Sequence, residues 1–452
     1  MRSVDRAYKV SFNRPLTNRD WNGYDAPLND HYPIIRWLER NGYDVSYFAG
    51  VDSERMGEKI KEHRVFISAG HDEYWSTAQR RHVELARDAG VNLAFFTGNG
   101  VFWRTRYEPS IDSSHAHHRT LVVYKETHSR LNDSGQLQPG RKLDPMKDMW
   151  TGTWRDASDF NPEGPDPENA LMGQLYTVDG YQESSILVPA RFGKMRFWRN
   201  TSIAKLKPGE VAILNGANLG HEWDEDLDNG FRPAGIVHLS ETTVNNVPYV
   251  QDWGSVFESG TATHHLTLYR AASGALVFSA GSVQWAWGLD GHHDRSTGIK
   301  REPEERYDIR IASDPRAPDH RVEQAMVNLF ADMGVQPATL EAHLSPAEAS
   351  EDKDPPASRI EGPPWGVVHA GVMVTIEGVA RDRGGGVVGG VEVSVDDGVT
   401  WHPADGLERW TFDWVPEEGI DRATLRSRAT DDSGNVEAPG PGLAVEIRAR
   451  VI

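Results

Sequence analysis

The sequence predicts an α/β fold, a doubly wound and mostly parallel sheet, followed by a small all-β sandwich of immunoglobulin type. Three observations carry this. Through Gly100, near-continuous apolar strand-like runs alternate with helical runs of about 10–15 residues, as a parallel sheet covered on both faces requires. Residues 337–357, rich in Glu, Asp, Ala, Ser and Pro, have the composition of a boundary segment. Beyond them, short alternating strands follow at turn-punctuated spacing. The expected domains are therefore residues 1–336 and 358–452, joined by the linker 337–357.

Taken in order, Asp30 is placed to cap a helix over 31–41, with Ile34, Ile35, Trp37 and Leu38 as its apolar stripe and Gly42 as its stop. A short strand is expected at 44–48, and Ser53 opens a second helix that turns Met56 and Ile60 inward. An apolar strand spans 64–69. Ser76 and Gln79 then form a capping box for a helix running to Ala89 and stopped by Gly90. Residues 91–97 read as another buried strand, closed by Gly98-Asn99-Gly100. From 107 to 180 the chain is rich in Asp, Pro, Gly and His and reads as long loops over the sheet, a length that in compact domains goes with function or disorder. Strand signals return at 186–188, 195–197, 211–214, 236–239, 266–269 and 275–280, and an amphipathic helix over 322–333 ends at Gly334. In the last part the strands are expected at 372–376, 391–395, 411–414, 423–429 and 443–447.

Composition sets limits. The 452 residues are 38% hydrophobic and 25% charged, as in globular chains, and carry a formal charge of −19. That charge argues against non-specific nucleic-acid binding and gives no attraction to anionic lipid. The absence of cysteine excludes disulfides, thiolate zinc sites, iron–sulfur clusters and cysteine nucleophiles. No apolar run approaches the ~18 residues of a membrane span, so no membrane insertion is expected. The basic N-terminus lacks the apolar stretch of a signal peptide. A strand-like segment at 8–12 follows Met1 so closely that a missing N-terminal region is expected.

In a doubly wound sheet, ligands bind beyond the carboxyl ends of the strands. Two chemically dense turns sit there, GHDEYW (70–75) and TGNGVFWR (97–104). His71 and Asp72 either contribute chemistry or cap the next helix, and Tyr74 and Trp75 either line a site or pack on the sheet. His115, His117 and His118, and His292 with His293, are metal candidates against a background in which loop histidines are usually incidental. The acidic run HEWDEDLDNG (221–230) lacks the ligand order of an EF-hand and reads either as a cation loop or as a solvated turn. There is no phosphate loop, HExxH or GxSxG.

The runs SFNRP (11–15), RWLERNGYDVSY (36–47), GHDEYWS (70–76), TGNGVFWR (97–104), YKE (124–126) and FSAGSVQWAWGLD (278–290) resemble the large subunit of N,N-dimethylformamidase and its relatives. The resemblance covers about residues 8–335 and implies an architecture similar to class I glutamine amidotransferases, whose cysteine nucleophile is absent here. It implies a mononuclear Fe(III) held by two tyrosines and a glutamate, matched here by Tyr32, Tyr74 and Glu126. Tyr124 stands where the family carries a histidine two residues before that glutamate. Phenolate and carboxylate oxygens suit ferric iron, and three ligands leave positions open for water and an amide oxygen. His71, Glu73 and Glu222 are the candidate acid–base residues, with Glu241 a more distant one.

The expected activity is hydrolysis of the C–N bond of a small amide, the expected substrate and partner. The family adds a small partner subunit, and homo-oligomerisation is left open. The alternative is a secreted or cell-surface binding or structural protein, associated with glycans or cell wall. It rests on the 15 tryptophans, the acidic loops and the tail VEVSVDDGVTWHPA (391–404). A hydrolase of another substrate class, with a different metal or none, is the third reading. Module context points to a secreted bacterial protein.

Overall fold

The computed structural model of the chain describes residues 7–14, 30–132, 134–180, 184–215, 218–292, 318–362 and 367–449. Among them the strands form six sheets of two to five strands each, and the expected doubly wound parallel sheet is not formed. In the five-stranded sheet the parallel part is Val65–Gly70, Asn92–Thr97 and Leu276–Ser279, with Asn92–Thr97 in the middle. The sheet then continues antiparallel through Thr267–Arg270 and Val237–His238. The segment expected as a strand at 44–48 joins no sheet; between it and Val65–Gly70 lies a cavity of about 730 Å³, lined by Tyr43, Val45, Tyr47 and Ile67. A second, wholly antiparallel sheet pairs Glu222–Glu225, Leu175–Asp179, Thr242–Val250 and Phe257–His264. Leu175–Asp179 comes from the stretch that read as loops and Glu222–Glu225 from the run that read as a cation loop or solvated turn, while Thr242–Val250 and Phe257–His264 carried no strand signal; with this sheet the chain is mostly β rather than α/β.

The short parallel core still shows the alternation that suggested it. Ala94 and Phe96 enter one apolar cluster with Ile34, Trp37, Met326 and Phe330, from helices Tyr32–Arg40 and His320–Asp332. Leu93 and Phe95 enter another with Val83 and Ala86, from helix Thr77–Asp88. Successive strand residues point to opposite faces, so both faces are covered. Phe278 is fully buried at the centre of the first cluster, 5.7 Å from Phe96 and stacked 5.5 Å from Phe197 by ring centroids.

Local signals hold where they are short-range. Ser76 Oγ accepts the Gln79 amide at 3.1 Å and starts helix Thr77–Asp88. Gly42 and Gly334 end their helices at positive φ. Asp30 does not cap: His31 occupies the N-cap position without a side-chain bond. The second helix starts at Gly50 rather than at Ser53, and Asp52 accepts the Ala49 amide at 3.1 Å. Residues 195–197 are not a strand; Arg196–Trp198 is a helical turn, fixed by Trp198 Nε1 donating to Leu239 O and Asn328 Nδ2 to Phe197 O.

The C-terminal part is a β-sandwich. One sheet contains Ala357–Gly362, Val374–Arg381 and Arg409–Trp414, the other Leu443–Arg448, Arg422–Asp431 and Val388–Ser394. Ile376, Val393, Trp410, Leu425 and Val445 fill the space between them. The sandwich is locked to the rest of the chain by buried charge. Arg232 forks onto Asp226 and reaches Glu392 at 2.6 Å, and Arg428 meets the same carboxylate at 2.7 Å.

Phe278→Ala should destabilise the protein by about 3–5 kcal/mol in urea unfolding, because it opens a cavity among aromatic rings. The exposed Ile213→Ala should change stability by less than about 0.5 kcal/mol, and equal costs for the two would contradict this placement of the core.

Candidate functional site

Strand Val65–Gly70 ends at Gly70, where φ is +67° and an added Cβ would lie 2.7 Å from the Asp30 Cβ. Only glycine meets both constraints. The turn that follows is tied down by its backbone: Asp72 O accepts from Val101 N, and Glu73 O from Phe102 N and Trp103 N. Asp72 itself takes a 2.8 Å bond from Ser68 Oγ and closes the turn.

The neighbouring strand Asn92–Thr97 leads into Gly98, whose missing side chain allows Glu222 O, Val283 N and Ser282 Cα to lie within 3 Å of where a Cβ would stand. Asn99 follows at φ +50°, its amide donating to Asp224 Oδ1 at 2.8 Å and its Nδ2 to Glu222 Oε2 at 3.0 Å. The end of the parallel core is thereby fastened to strand Glu222–Glu225 of the antiparallel sheet.

This brings His71, Glu73 and Glu222 together. His71 Nε2 lies 2.6 Å from Glu222 Oε2 and 3.0 Å from Glu73 Oε2. His221 stands edge-on to the His71 ring, centroids 5.7 Å apart. One ligand atom each from His71, His221 and Glu222 fall within 4.8 Å of one another, a spacing that can hold a metal ion. Their charges are strongly perturbed. Burial works against the His71 cation, but Glu222 and Glu73 outweigh it and hold its pKa well above the ordinary value. Burial likewise opposes ionisation of Glu222, yet His71, His221 and Asn99 bring it down to about 2. Burial lowers the pKa of His221. Around them burial pushes Asp179 up to about 6, with Glu222 and Glu73 adding to it, and Asp224 up to about 7. Asp30, 1% exposed and with no hydrogen-bond partner for either oxygen among the described residues, is likewise raised to about 7 by burial, against the pull of His71.

The other candidate residues lie in different surroundings. Tyr74 opens strand Tyr74–Ser76 with the Lys125 ammonium 5.2 Å over its ring. Tyr32 begins helix Tyr32–Arg40 with the Arg36 guanidinium 5.6 Å from its ring. Glu126 is fully buried, both oxygens engaged by Lys142 at 2.8 Å and by the amides of Leu143, Asp144 and Thr151. A carboxylate has about four lone-pair sites, so as placed here it has none left for an ion. The Tyr32–Tyr74–Glu126 set does not fit iron in this arrangement. Glu241 pairs with Arg191. His115 and His117 are exposed, and His118 lies 3.9 Å from Glu54. His292 bonds Asp290, and His293 falls outside the described residues. The acidic run is no solvated turn: Asp224 is buried and Asp226 is paired with Arg232 and His238. His221 and Asn99 lie in two segments the sequence flags, 221–230 and 97–104, without being named there as site residues. The available signal was the Gly-His-acid pattern of residues 220–222, which repeats that of 70–72.

A family model described as N,N-dimethylformamidase beta subunit-like, C-terminal, matches residues 1–297. The chain belongs to this family. The match contains the whole His71–Glu73–His221–Glu222 cluster. No curated protein matches the sequence. Among solved structures, the Lin-41 filamin domain aligns at 17% identity and a TM-score of 0.15, over 20% of this chain and 91% of its own.

The Asp30 carboxyl gives a pH prediction. A carboxyl whose pKa is higher folded than unfolded leaves the folded state holding more protons between the two values. Stability is therefore lost as pH rises through that window, here from about 4 to about 7. In metal-stripped protein, Asp30→Asn should gain stability over the parent as pH goes from about 5 to about 8; a pH-independent difference in urea midpoint would refute it.

Proposed function

We propose that the protein is a metal-dependent hydrolase of the C–N bond of a small amide, resembling N,N-dimethylformamidase, with its centre at His71, His221, Glu222 and Glu73. The observation that carries this reading is the convergence of two carboxylates on one imidazole nitrogen, His71 Nε2, at the carboxyl end of the parallel strands. A single N–H cannot satisfy two anions well, and a cation among the same groups would.

His71, His221 and Glu222 would hold a divalent ion, and a ligand set of two imidazoles and a carboxylate suits zinc, ferrous iron or manganese better than phenolate-bound ferric iron. Such an ion supplies Lewis acidity toward a carbonyl oxygen and acidifies bound water. The chain's own residues do the rest. Glu73, outside the ligand triple, takes the proton from the attacking water and returns it to the departing nitrogen, so amide and water become carboxylic acid and amine. Asn99 holds Glu222 in its orientation through the 3.0 Å bond, as outer-shell partners of ligands do.

Elemental analysis combined with amine release from N,N-dimethylformamide and a panel of small amides tests this. Glu73→Gln should keep the metal and lose about 100- to 10,000-fold in kcat. His71→Ala with His221→Ala should lose the metal equivalent on which amine release depends, and Tyr74→Phe should keep it. Metal retained in the double variant but lost in Tyr74→Phe would move the centre to the tyrosines, and a metal-loaded parent inert to every amide would end the hydrolase reading.

A further inference from the structure

We infer that the chain carries a second, independent transition-metal site at His320, Glu323 and His343, remote in the sequence from the candidate centre. His320 and Glu323 are i and i+3 in the first turn of helix His320–Asp332, which sets their side chains one above the other. His343 comes from the turn beyond the helix. That turn is clasped to the helix by Gln324, whose Oε1 accepts the Ser345 amide at 2.8 Å and whose Nε2 donates to Ser345 O at 2.9 Å.

The three side chains share one focus. Glu323 is 1% exposed, and its Oε2 lies 2.8 Å from His320 Nδ1 and 3.1 Å from His343 Nε2. The two rings are tilted 49° to each other with centroids 4.3 Å apart. Nitrogen and oxygen ligands about 2.0–2.2 Å from a divalent ion stand roughly 3 Å from each other, which is the separation already present between Glu323 and each histidine, and all three ligand atoms lie within 4.8 Å of one another. An ion can therefore enter with small side-chain shifts, replacing the two contacts to Oε2. The other carboxylate oxygen, Oε1, faces Arg40 at 3.4 Å, and Arg40 is itself held by Asp290 and by Glu341 at 2.7 Å. Glu323 is thus oriented from behind, as outer-shell contacts orient metal ligands. The histidine side chains are 69% and 35% exposed, which gives an entry path and leaves coordination positions open to water.

Two imidazoles and one carboxylate select a borderline ion such as zinc over calcium or magnesium, which take oxygen ligands. The ion would pin the first turn of a helix whose Met326 and Phe330 lie in the main core. Its role would be structural.

Zinc titration of the full chain, followed by equilibrium dialysis and elemental analysis, tests this. The parent should bind one zinc more per chain than His320→Ala/His343→Ala, and the thermal midpoint of the parent, but not of the double variant, should rise with that zinc. His343→Gln, which keeps the side-chain volume near the original, should lose the same equivalent. His71→Ala/His221→Ala should keep it, so failure of the two sites can be told apart. Equal zinc stoichiometry in the parent and His320→Ala/His343→Ala would overturn the inference, as would calcium competing on equal terms.

Discussion

The site depends on one close approach, strand Glu222–Glu225 lying against the turn that follows Asn92–Thr97. Gly98 makes room for it, and the two bonds of Asn99 to Asp224 and Glu222 fix it. Without it, Glu222 would belong to a separate antiparallel sheet and His71 would have one carboxylate instead of two. The parallel core presents His71 and Glu73, and the antiparallel sheet delivers His221 and Glu222. The centre is therefore a property of the junction between two sheets rather than of either one.

That junction concentrates charge that the fold does not neutralise locally. His71 is the cation facing Glu73 and Glu222, while Asp30, Asp179 and Asp224 are driven by burial toward their protonated forms. Three other carboxylates, Asp226, Asp332 and Asp144, are instead each paired with an arginine. Clusters of strongly perturbed groups of the first kind mark functional sites more often than structural ones.

The sequence was legible where the physics is local. Ser76, Gly42 and Gly334 act within a turn of the residues they cap, and the apolar runs at 65–70 and 92–97 are continuous because both faces are covered. The larger architecture was misread because three parallel strands were extrapolated to a whole sheet. Thr242–Val250 and Phe257–His264 carry Asn, Pro, Gly and Glu and are half-exposed, so their alternation is faint although they pair along their length. His71 and Glu73 could be nominated from their place at a strand end. Their connection to Glu222 is made across 123 positions from Asn99, and no local pattern encodes it. For Glu126, the burying bonds come from Lys142 and from amides at 143, 144 and 151, equally invisible in a short motif.

The Arg232 junction bears on how the chain could be dissected. Asp226, Arg232 and Glu392 are all nearly solvent-free, and Gly389 lies so close to Val237 that an added Cβ would stand 2.8 Å from its methyl groups. Removing the sandwich would leave a guanidinium with half its countercharge, at the base of the same acidic run that supplies Glu222. Breaking a buried ion pair by taking away one partner is far costlier than never having built it. The sandwich and the preceding part of the chain therefore share one electrostatic joint, and a cut at the linker that removed the sandwich would open it.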